Sequence, residues 1–227
     1  KVLVVNDTLL ALQAIARGWR AQNPNIQLFA ITGSVGKTTC KNMLYQVLAQ
    51  ADNTFCSPGN FNNEIGVPLS LLDIQEENNY GVLEFGARKP GDITLLNNIA
   101  LPNYVACLNV GSSHYGVFGG QEQIYRSKLE IISSAPKSSL CIVNHDDQVL
   151  YERAQKLTKE IYTFGVNKKA HVHLKNTTWN QNNTMTLVMN VFGKEQTIKL
   201  SHAHQKYPYN ALAVTCLAHL ANIDHKH

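Results

Sequence analysis

The sequence of 227 residues lacks the features that mark several specialised classes of protein. Its five cysteines are scattered and none belongs to a Cys-x-x-Cys pair, so neither a disulfide framework nor a zinc site is expected. No apolar run approaches the roughly 20 residues that a membrane-spanning helix needs. The opening apolar residues are too few for the core of a secretion signal. These absences lead us to expect a cytoplasmic protein without membrane insertion.

The charge of the chain is also small. Twenty basic and 16 acidic side chains give a formal net charge of +4, and like charges form no block. Nucleic acid is therefore not expected as a partner, whereas a small anionic substrate is compatible with this balance. Hydrophobic residues make up 44% of the chain and charged residues 16%, which is typical of a globular protein.

Short apolar runs rich in β-branched residues alternate with segments of helical length through most of the chain. This alternation predicts an α/β fold, with a mostly parallel sheet flanked by helices on both faces. Three consecutive strands within Ala170–Leu200 then predict a small antiparallel β-sheet appended to the main one. The predicted strands are Lys1–Val5, Leu28–Thr32, Thr54–Ser57, Tyr80–Phe85, Tyr104–Asn109, Ser139–Asn144, Glu160–Phe164, Ala170–Trp179, Thr184–Phe192 and Glu195–Leu200. The predicted helices are Thr8–Ala21, Lys37–Gln50, Asn63–Asp73, Gly91–Ile99, Gln121–Ser134, Asp146–Lys159 and Asn210–Ala221.

The strongest local signal is a glycine-containing turn between an apolar strand and a helix. Gly33 and Gly36 allow backbone N–H groups to point at phosphate oxygens, and the helix N-terminus adds the positive end of its dipole. Lys37 is placed to reach the β- and γ-phosphates, and the Thr38 hydroxyl to bind Mg²⁺. The sequence thus predicts a P-loop-type fold that binds a nucleotide with Mg²⁺. The predicted nucleotide-binding residues are Gly33, Ser34, Val35, Gly36, Lys37, Thr38 and Thr39.

This turn departs from the general phosphate-loop pattern at one position. Ile31 stands where that pattern has its leading glycine, which leaves the variant Thr-Gly-x-x-Gly-Lys-Thr. The alternative interpretation is a glycine-rich turn that caps a helix and exposes a lysine. The order of strand, glycines, lysine and threonine favours the nucleotide site, although it does not identify a reaction.

Three further stretches carry a family resemblance. Ser57–Leu72 reads SPGNFNNEIGVPLSLL, Val82–Ile93 contains a Glu-Phe-Gly-Ala strand end, and Asn109–Ile131 contains Ser-Ser-His and Arg-Ser-Lys-Leu-Glu. Together with the phosphate loop they resemble the central ATP-binding domain of the Mur ligase family. Within that family they resemble the members that add D-alanyl-D-alanine to UDP-N-acetylmuramoyl-tripeptide. The likeness runs from Lys1 to about Asn222.

The resemblance implies an ATP-dependent amide ligase of peptidoglycan precursor synthesis. A carboxylate of the tripeptide is phosphorylated to an acyl phosphate and then attacked by the amine of D-alanyl-D-alanine, with ATP and Mg²⁺ as cofactors. Residues 1–25 match the end of an N-terminal substrate domain and its joint, and residues 26–227 match the central ATP-binding domain. No match to a C-terminal domain is present, so the chain by itself is expected to be inactive. A monomer is expected.

The resemblance also assigns roles to residues that spacing alone would leave ambiguous. Glu84, His114 and Lys128 match metal-site residues, and the lysine is carbamylated in the family. Without the resemblance, Glu84 reads as a strand-end carboxylate, His114 as a surface histidine and Lys128 as a solvated helix lysine. Lys37, Lys128 and His114 are the predicted catalytic residues, and the predicted metal ligands are Thr38, Glu84, His114 and Lys128.

Substrate contacts are predicted for Asn60, Asn62, Asn63 and Arg88. The alternative for the asparagines is that they are turn and cap residues, but the resemblance favours the substrate role. Arg88 could equally be an ordinary surface residue. Asn210 matches the last asparagine of the family's adenine-side motif. The rest of that motif differs here, because His204, Lys206 and Tyr207 replace its glycine, histidine and first asparagine. This difference keeps open the alternative of a nucleotide-binding module without catalysis. A related Mur or folylpolyglutamate ligase is a second alternative, because it shares the phosphate loop and the carbamylated lysine, although the stretch Gly59–Gly66 argues against it.

Overall fold

The computed structural model describes residues 2, 4–111, 120–158, 160–181, 183–201 and 207–223. Nine strands and seven helices are found in these ranges. The strands are β1 (Gln27–Thr32), β2 (Thr54–Cys56), β3 (Tyr80–Glu84), β4 (Tyr104–Cys107), β5 (Leu140–Asn144), β6 (Ile161–Gly165), β7 (Val172–Trp179), β8 (Met185–Val191) and β9 (Lys194–Leu200). The helices are α1 (Thr8–Gln22), α2 (Lys37–Ala51), α3 (Gly66–Asp73), α4 (Asp92–Ala100), α5 (Gln121–Ser133), α6 (Gln148–Gln155) and α7 (Tyr207–Leu220).

All nine strands form one sheet in the order β2-β3-β1-β4-β5-β6-β7-β8-β9. Neighbours are parallel from β2 to β7, whereas β7-β8 and β8-β9 are antiparallel. The predicted mostly parallel sheet with antiparallel strands at its end is confirmed. The antiparallel strands continue the main sheet, because β7 pairs with β6 through Phe164 and Val172.

Both faces of the sheet are covered by helices, as the apolar strand pattern predicts. Along β1, Leu28 and Ala30 pack in the core beneath α1, α3, α4, α5 and α6. Phe29 and Ile31 point to the opposite face, where α2 and α7 lie. Successive side chains of a strand point to opposite faces, so this one buried strand supplies both cores. In the described part of the chain no helix combines the length and the hydrophobicity needed to cross a membrane.

The predicted strand over Lys1–Val5 is wrong for the residues that the structure describes. Val2, Val4 and Val5 belong to no strand. Val2 and Val4 are 93% and 90% exposed, so their apolar side chains have no sheet or core to pack against. A β-branched run is not sufficient for a strand unless a neighbouring strand and a buried face are available. Lys1 and Leu3 lie outside the described residues.

A buried arginine attaches α1 to the rest of the domain. Arg20 is 5% exposed, and its guanidinium donates to the carbonyl oxygens of Ala100 at 3.1 Å and Leu101 at 3.3 Å. It also donates to the Asn103 side-chain oxygen at 3.0 Å, which in turn accepts from the backbone N–H of Leu28 at 2.9 Å. Arg20 thus satisfies carbonyls at the C-terminal end of α4 and links α1 to the start of β1.

Replacing Arg20 by methionine is expected to destabilise the domain by about 3 kcal/mol, because buried carbonyls lose charged donors that nothing else replaces. Urea unfolding of the purified chain measures this change. Arg126→Ala is the control, since Arg126 lies on the surface in an ion pair with Glu122 at 3.1 Å and such pairs contribute under about 1 kcal/mol. Equal losses for the two variants would contradict the role of Arg20.

Candidate functional site

The phosphate loop lies between β1 and α2, at the carboxyl edge of the parallel strands. Gly36 has φ 85°, a left-handed conformation that favours glycine, and it immediately precedes α2. A Cβ at this position would lie 2.8 Å from the Asn210 side-chain oxygen, so a larger residue has no room. The Lys37 ammonium donates back to the Gly33 carbonyl at 2.9 Å. The turn therefore places Gly33, Ser34 and Lys37 on the wall of one cavity, in the strand–turn–helix arrangement that binds phosphate groups in other proteins.

Asn109 holds this loop in position from the end of β4. Its side-chain oxygen accepts from the Val35 N–H at 3.0 Å, and its side-chain nitrogen donates to the Val35 carbonyl at 3.0 Å. The Ser34 N–H donates to the Asn109 carbonyl at 3.1 Å, and the Ser34 hydroxyl accepts from the Gly111 N–H at 2.9 Å. These four hydrogen bonds fix the loop conformation from a strand that is distant in sequence.

Glu84 ends β3 beside the loop and is 3% exposed. Its carboxylate accepts from the Thr38 hydroxyl at 2.7 Å and from the Asn62 side-chain nitrogen at 2.8 Å. No ion pair to this carboxylate is found within the described ranges. A buried carboxylate next to a threonine hydroxyl and a phosphate site fits Mg²⁺, which prefers oxygen ligands and takes the remainder from phosphates and water. The predicted ligands Thr38 and Glu84 are thus brought together.

The asparagines of the stretch between β2 and α3 are engaged within the protein. Asn62 accepts from the Gly86 N–H through its own carbonyl at 2.7 Å while its side chain donates to Glu84. A Cβ on Gly86 would lie 2.8 Å from the Asn62 side-chain oxygen, so this pair is tightly packed. Asn63 accepts from the Gly66 N–H at 2.8 Å at the start of α3. Asn60 accepts from the Asn62 N–H at 2.7 Å through its carbonyl. Substrate contacts by these residues remain a prediction.

A cavity of about 210 Å³ opens beside the phosphate loop. Its polar wall contains Lys37, Asn62, Arg88 and Lys128, so residues predicted for three different roles share one space. The other lining residues are Gly33, Ser34, Asn63, Glu64, Gly86, Ala87, Asp92, Leu95, Leu96 and Ile124. The cavity therefore combines cations and amide groups near the phosphate loop with an apolar wall from α4 and α5.

Lys128 is the most unusual of these residues. It lies on α5 and is 6% exposed, which contradicts the alternative that it is a solvated helix lysine. Burial, followed by the nearby charge of Lys37, lowers the pKa of Lys128 from 10.5 to about 8. A buried ammonium is disfavoured because it loses hydration, and a second cation disfavours it further. Its amine is therefore much more readily deprotonated than that of an ordinary lysine.

The remaining predicted residues divide into three cases. The Arg88 side chain lies on the cavity wall, while its backbone N–H donates to Asp92 at 2.8 Å. Asn210 lies near the start of α7 and is buried with its side chain next to Gly36 of the phosphate loop. His114 lies outside the described residues, as do the altered positions His204 and Lys206 of the adenine-side motif.

Sequence reasoning missed the roles of Asn109 and of Lys41, which lies one turn after Lys37 on α2. Lys41 is 1% exposed, and its ammonium donates to the Ser57 and Gly59 carbonyls. One signal for Asn109 was available in the sequence, since it comes just after an apolar run that predicts a strand. No pattern in the sequence separates Lys41 from a surface lysine.

The chain matches the family model described as Mur ligase middle domain over residues 31–218. That match covers most of its length. The chain belongs to the Mur ligase family. Sequence relatives include the UDP-N-acetylmuramoyl-tripeptide–D-alanyl-D-alanine ligase of Synechocystis sp., which is 40% identical over 164 residues. This alignment covers 72% of the chain and 36% of the relative.

Solved structures of Mur ligases share the fold over nearly the whole chain. The MurF structure from Acinetobacter baumannii superposes with a TM-score of 0.91 at 31% identity, covering 99% of this chain and 49% of that protein. The MurF ligase of Thermotoga maritima in complex with ADP gives a TM-score of 0.90 at 30% identity, covering 98% and 51%. The chain thus spans about half the length of these Mur ligases and about a third of the Synechocystis relative.

Proposed function

We propose that this chain is the ATP-binding core of a ligase that joins D-alanyl-D-alanine to UDP-N-acetylmuramoyl-tripeptide at the expense of ATP. The observation that carries the proposal is the single cavity in which Lys37 of the phosphate loop lies with the buried Lys128 and with Asn62, the partner of Glu84. The names of the similar ligases support the substrate pair. The proposed site of this reaction is the cytoplasm.

The reaction has two steps. A carboxylate oxygen of the tripeptide attacks the γ-phosphorus of ATP, the bond to the β-phosphate oxygen breaks, and ADP leaves. The amine nitrogen of D-alanyl-D-alanine then attacks the acyl carbon, phosphate leaves and the amine loses a proton. Neither step needs a nucleophilic side chain, so catalysis depends on positioning and on compensation of negative charge.

The residues of the cavity divide these tasks. Lys37 neutralises charge on the transferred phosphoryl group. The backbone N–H groups of the loop that do not donate to Asn109 bind phosphate oxygens. Arg88, on the wall of the same cavity, binds an anionic group of the tripeptide substrate. The apolar wall from Leu95, Leu96 and Ile124 keeps water from the acyl phosphate, which would otherwise hydrolyse.

The metal site fits this assignment. Thr38 and Glu84 would supply two oxygen ligands, and Lys128 would supply a further anionic ligand once its neutral amine has reacted with CO₂ and lost a proton to form a carbamate. Mg²⁺ held by these residues would neutralise charge on the phosphate oxygens. No group of three or more His, Cys, Asp or Glu capable of holding a metal occurs in the described ranges. A magnesium site completed by phosphates and a carbamate does not require one.

The test is an assay of the gene product that contains this sequence. ADP release is expected only when ATP, UDP-N-acetylmuramoyl-tripeptide and D-alanyl-D-alanine are all present, together with a product whose mass is the sum of the two substrates less one water. ADP release with glutamate in place of the dipeptide would favour a folylpolyglutamate-type ligase. Binding of Mg²⁺ and ADP without turnover on any combination would favour a non-catalytic module.

A further inference from the structure

Lys41 occupies a position where a charged side chain is costly. It is 1% exposed and lies on α2, one turn after Lys37. No ion pair involves it within the described ranges. Its acceptors are two backbone carbonyls, Ser57 at 2.5 Å and Gly59 at 3.0 Å. A buried ammonium without a carboxylate partner loses hydration that carbonyls only partly replace.

The two carbonyls belong to the stretch that leads to Asn62. From Gly59 the chain reaches Asn62 in three residues, and Asn62 donates to Glu84 at 2.8 Å. The other oxygen of Glu84 accepts from Thr38 at 2.7 Å, three residues before Lys41 on α2. Lys41, residues 57–62, Glu84 and Thr38 therefore form a closed ring of contacts that begins and ends on the same helix.

We propose that Lys41 is a positioning residue that holds residues 57–62 so that Asn62 fixes the orientation of the Glu84 carboxylate. The inference rests on the proposed function, because Glu84 is the magnesium ligand assigned there. Lys41 itself touches neither nucleotide nor metal, and it acts through Asn62. An ammonium suits this task because it offers several donors to carbonyls that approach from different directions.

Substitution of a residue that orients a metal ligand without binding the metal typically lowers metal affinity by about 10–100-fold. Lys41→Met keeps most of the length and the apolar stem of the side chain and removes the donors. Calorimetry of ADP binding to the purified chain, with and without Mg²⁺, measures how strongly the metal tightens nucleotide binding. We expect Lys41→Met to reduce this tightening about tenfold, with ADP affinity in the absence of metal unchanged.

A double-mutant cycle with Asn62→Ala tests the route. If Lys41 acts through Asn62, Lys41→Met is expected to cause no further loss in the Asn62→Ala background. Met189→Ala is the control for general destabilisation, because Met189 is buried on β8, five strands away in the sheet from β1, which leads into the phosphate loop. It is expected to lower the unfolding temperature and to leave the effect of Mg²⁺ intact.

The outcomes separate the two proposals. A wild-type chain whose ADP affinity does not depend on Mg²⁺ would overturn the proposed function. If Mg²⁺ tightens ADP binding equally in the wild type and in Lys41→Met, the inference alone is overturned. The same holds if Lys41→Met loses ADP affinity equally with and without Mg²⁺. If Lys41→Met does not fold, Lys41→Gln is measured instead. Glutamine is one atom shorter than lysine but keeps two donors, so a smaller loss of the Mg²⁺ effect on ADP binding is expected. If neither variant folds, Lys41 is a folding residue and the inference fails.

Discussion

Replacing Lys37 by alanine is expected to slow ATP-dependent ligation by the gene product about 100-fold or more. Lys37 is the first residue of α2, and its ammonium donates to the Gly33 carbonyl and lines the cavity. In the proposed reaction it neutralises charge that grows on the transferred phosphoryl group. Loss of ~3 kcal/mol of transition-state stabilisation corresponds to about two orders of magnitude in rate. Steady-state ADP release with saturating substrates measures the change.

Two further variants separate charge from packing. Lys37→Met keeps most of the side-chain volume without the charge, so it is expected to be as slow as Lys37→Ala. Lys175→Ala removes an exposed lysine that pairs with Glu195 at 2.8 Å on the antiparallel strands, and it is expected to retain full activity. A Lys37→Ala enzyme that keeps more than a tenth of the wild-type rate would rule out the assigned role.

Most of the fold was predictable from the sequence because its signals are local. The buried strands of a parallel sheet are continuous apolar runs, and β1, β3, β4 and β5 each contain one. The switch to consecutive strands after Phe164 predicted the antiparallel end of the sheet. The run Lys1–Val5 has the same local composition, yet its described residues form no strand. Local composition cannot report whether a neighbouring strand is present.

The contacts that organise the site were not predictable in the same way. Asn109 is 74 residues from Val35 in the chain, and Glu130 on α5 accepts from the Gly91 N–H at 2.7 Å across 39 residues. Such hydrogen bonds depend on how elements pack, which spacing within one element does not encode. Lysine is also among the residue types least often buried, so composition argues against the observed position of Lys41.

Short polar residues pose a different difficulty. Asn62 and Asn63 are adjacent, yet the structure gives them different partners. Asn62 donates to a buried carboxylate, whereas Asn63 accepts from the N–H of Gly66, the first residue of α3. Asparagine fits turns, caps and ligand sites for the same reason, namely a compact amide with both donors and an acceptor. The resemblance to the Mur ligases singled out this stretch, and the structure links it to Glu84 through Asn62. It could not separate substrate contacts from contacts that shape the site.

Replacing Lys128 by methionine is expected to stabilise the chain at pH 7 by about 3 kcal/mol in buffer free of CO₂. Burial and the charge of Lys37 lower the pKa of Lys128 from 10.5 to about 8, and one unit corresponds to ~1.4 kcal/mol. Methionine fills a similar volume without an ammonium that must lose its hydration. Urea unfolding of both proteins, without nucleotide, measures the difference.

The sign of the pH dependence follows from linkage. Below pH 8 both the folded and the unfolded chain carry a protonated Lys128, so the folded wild type bears the full cost of burying the charge. Between pH 8 and 10.5 the unfolded state binds more protons at this site, and wild-type stability therefore rises with pH relative to the variant. The advantage of Lys128→Met is expected to disappear near pH 10.5. An advantage that is constant across this range would show that packing, not charge, is responsible.

The same lowered pKa prepares Lys128 for the carbamate proposed at the metal site. At pH 8 about half of the buried lysines are neutral, against roughly one in 300 for an ordinary lysine, and only the neutral amine attacks CO₂. The new N–C bond forms as the amine loses a proton, which converts a destabilising cation into an anionic ligand. Lys128→Ala in the gene product is therefore expected to lose ligation and to regain part of it with added short-chain carboxylates, which supply the missing anion. A variant that is fully active without them would mean that the charge buried at this position has no part in the reaction.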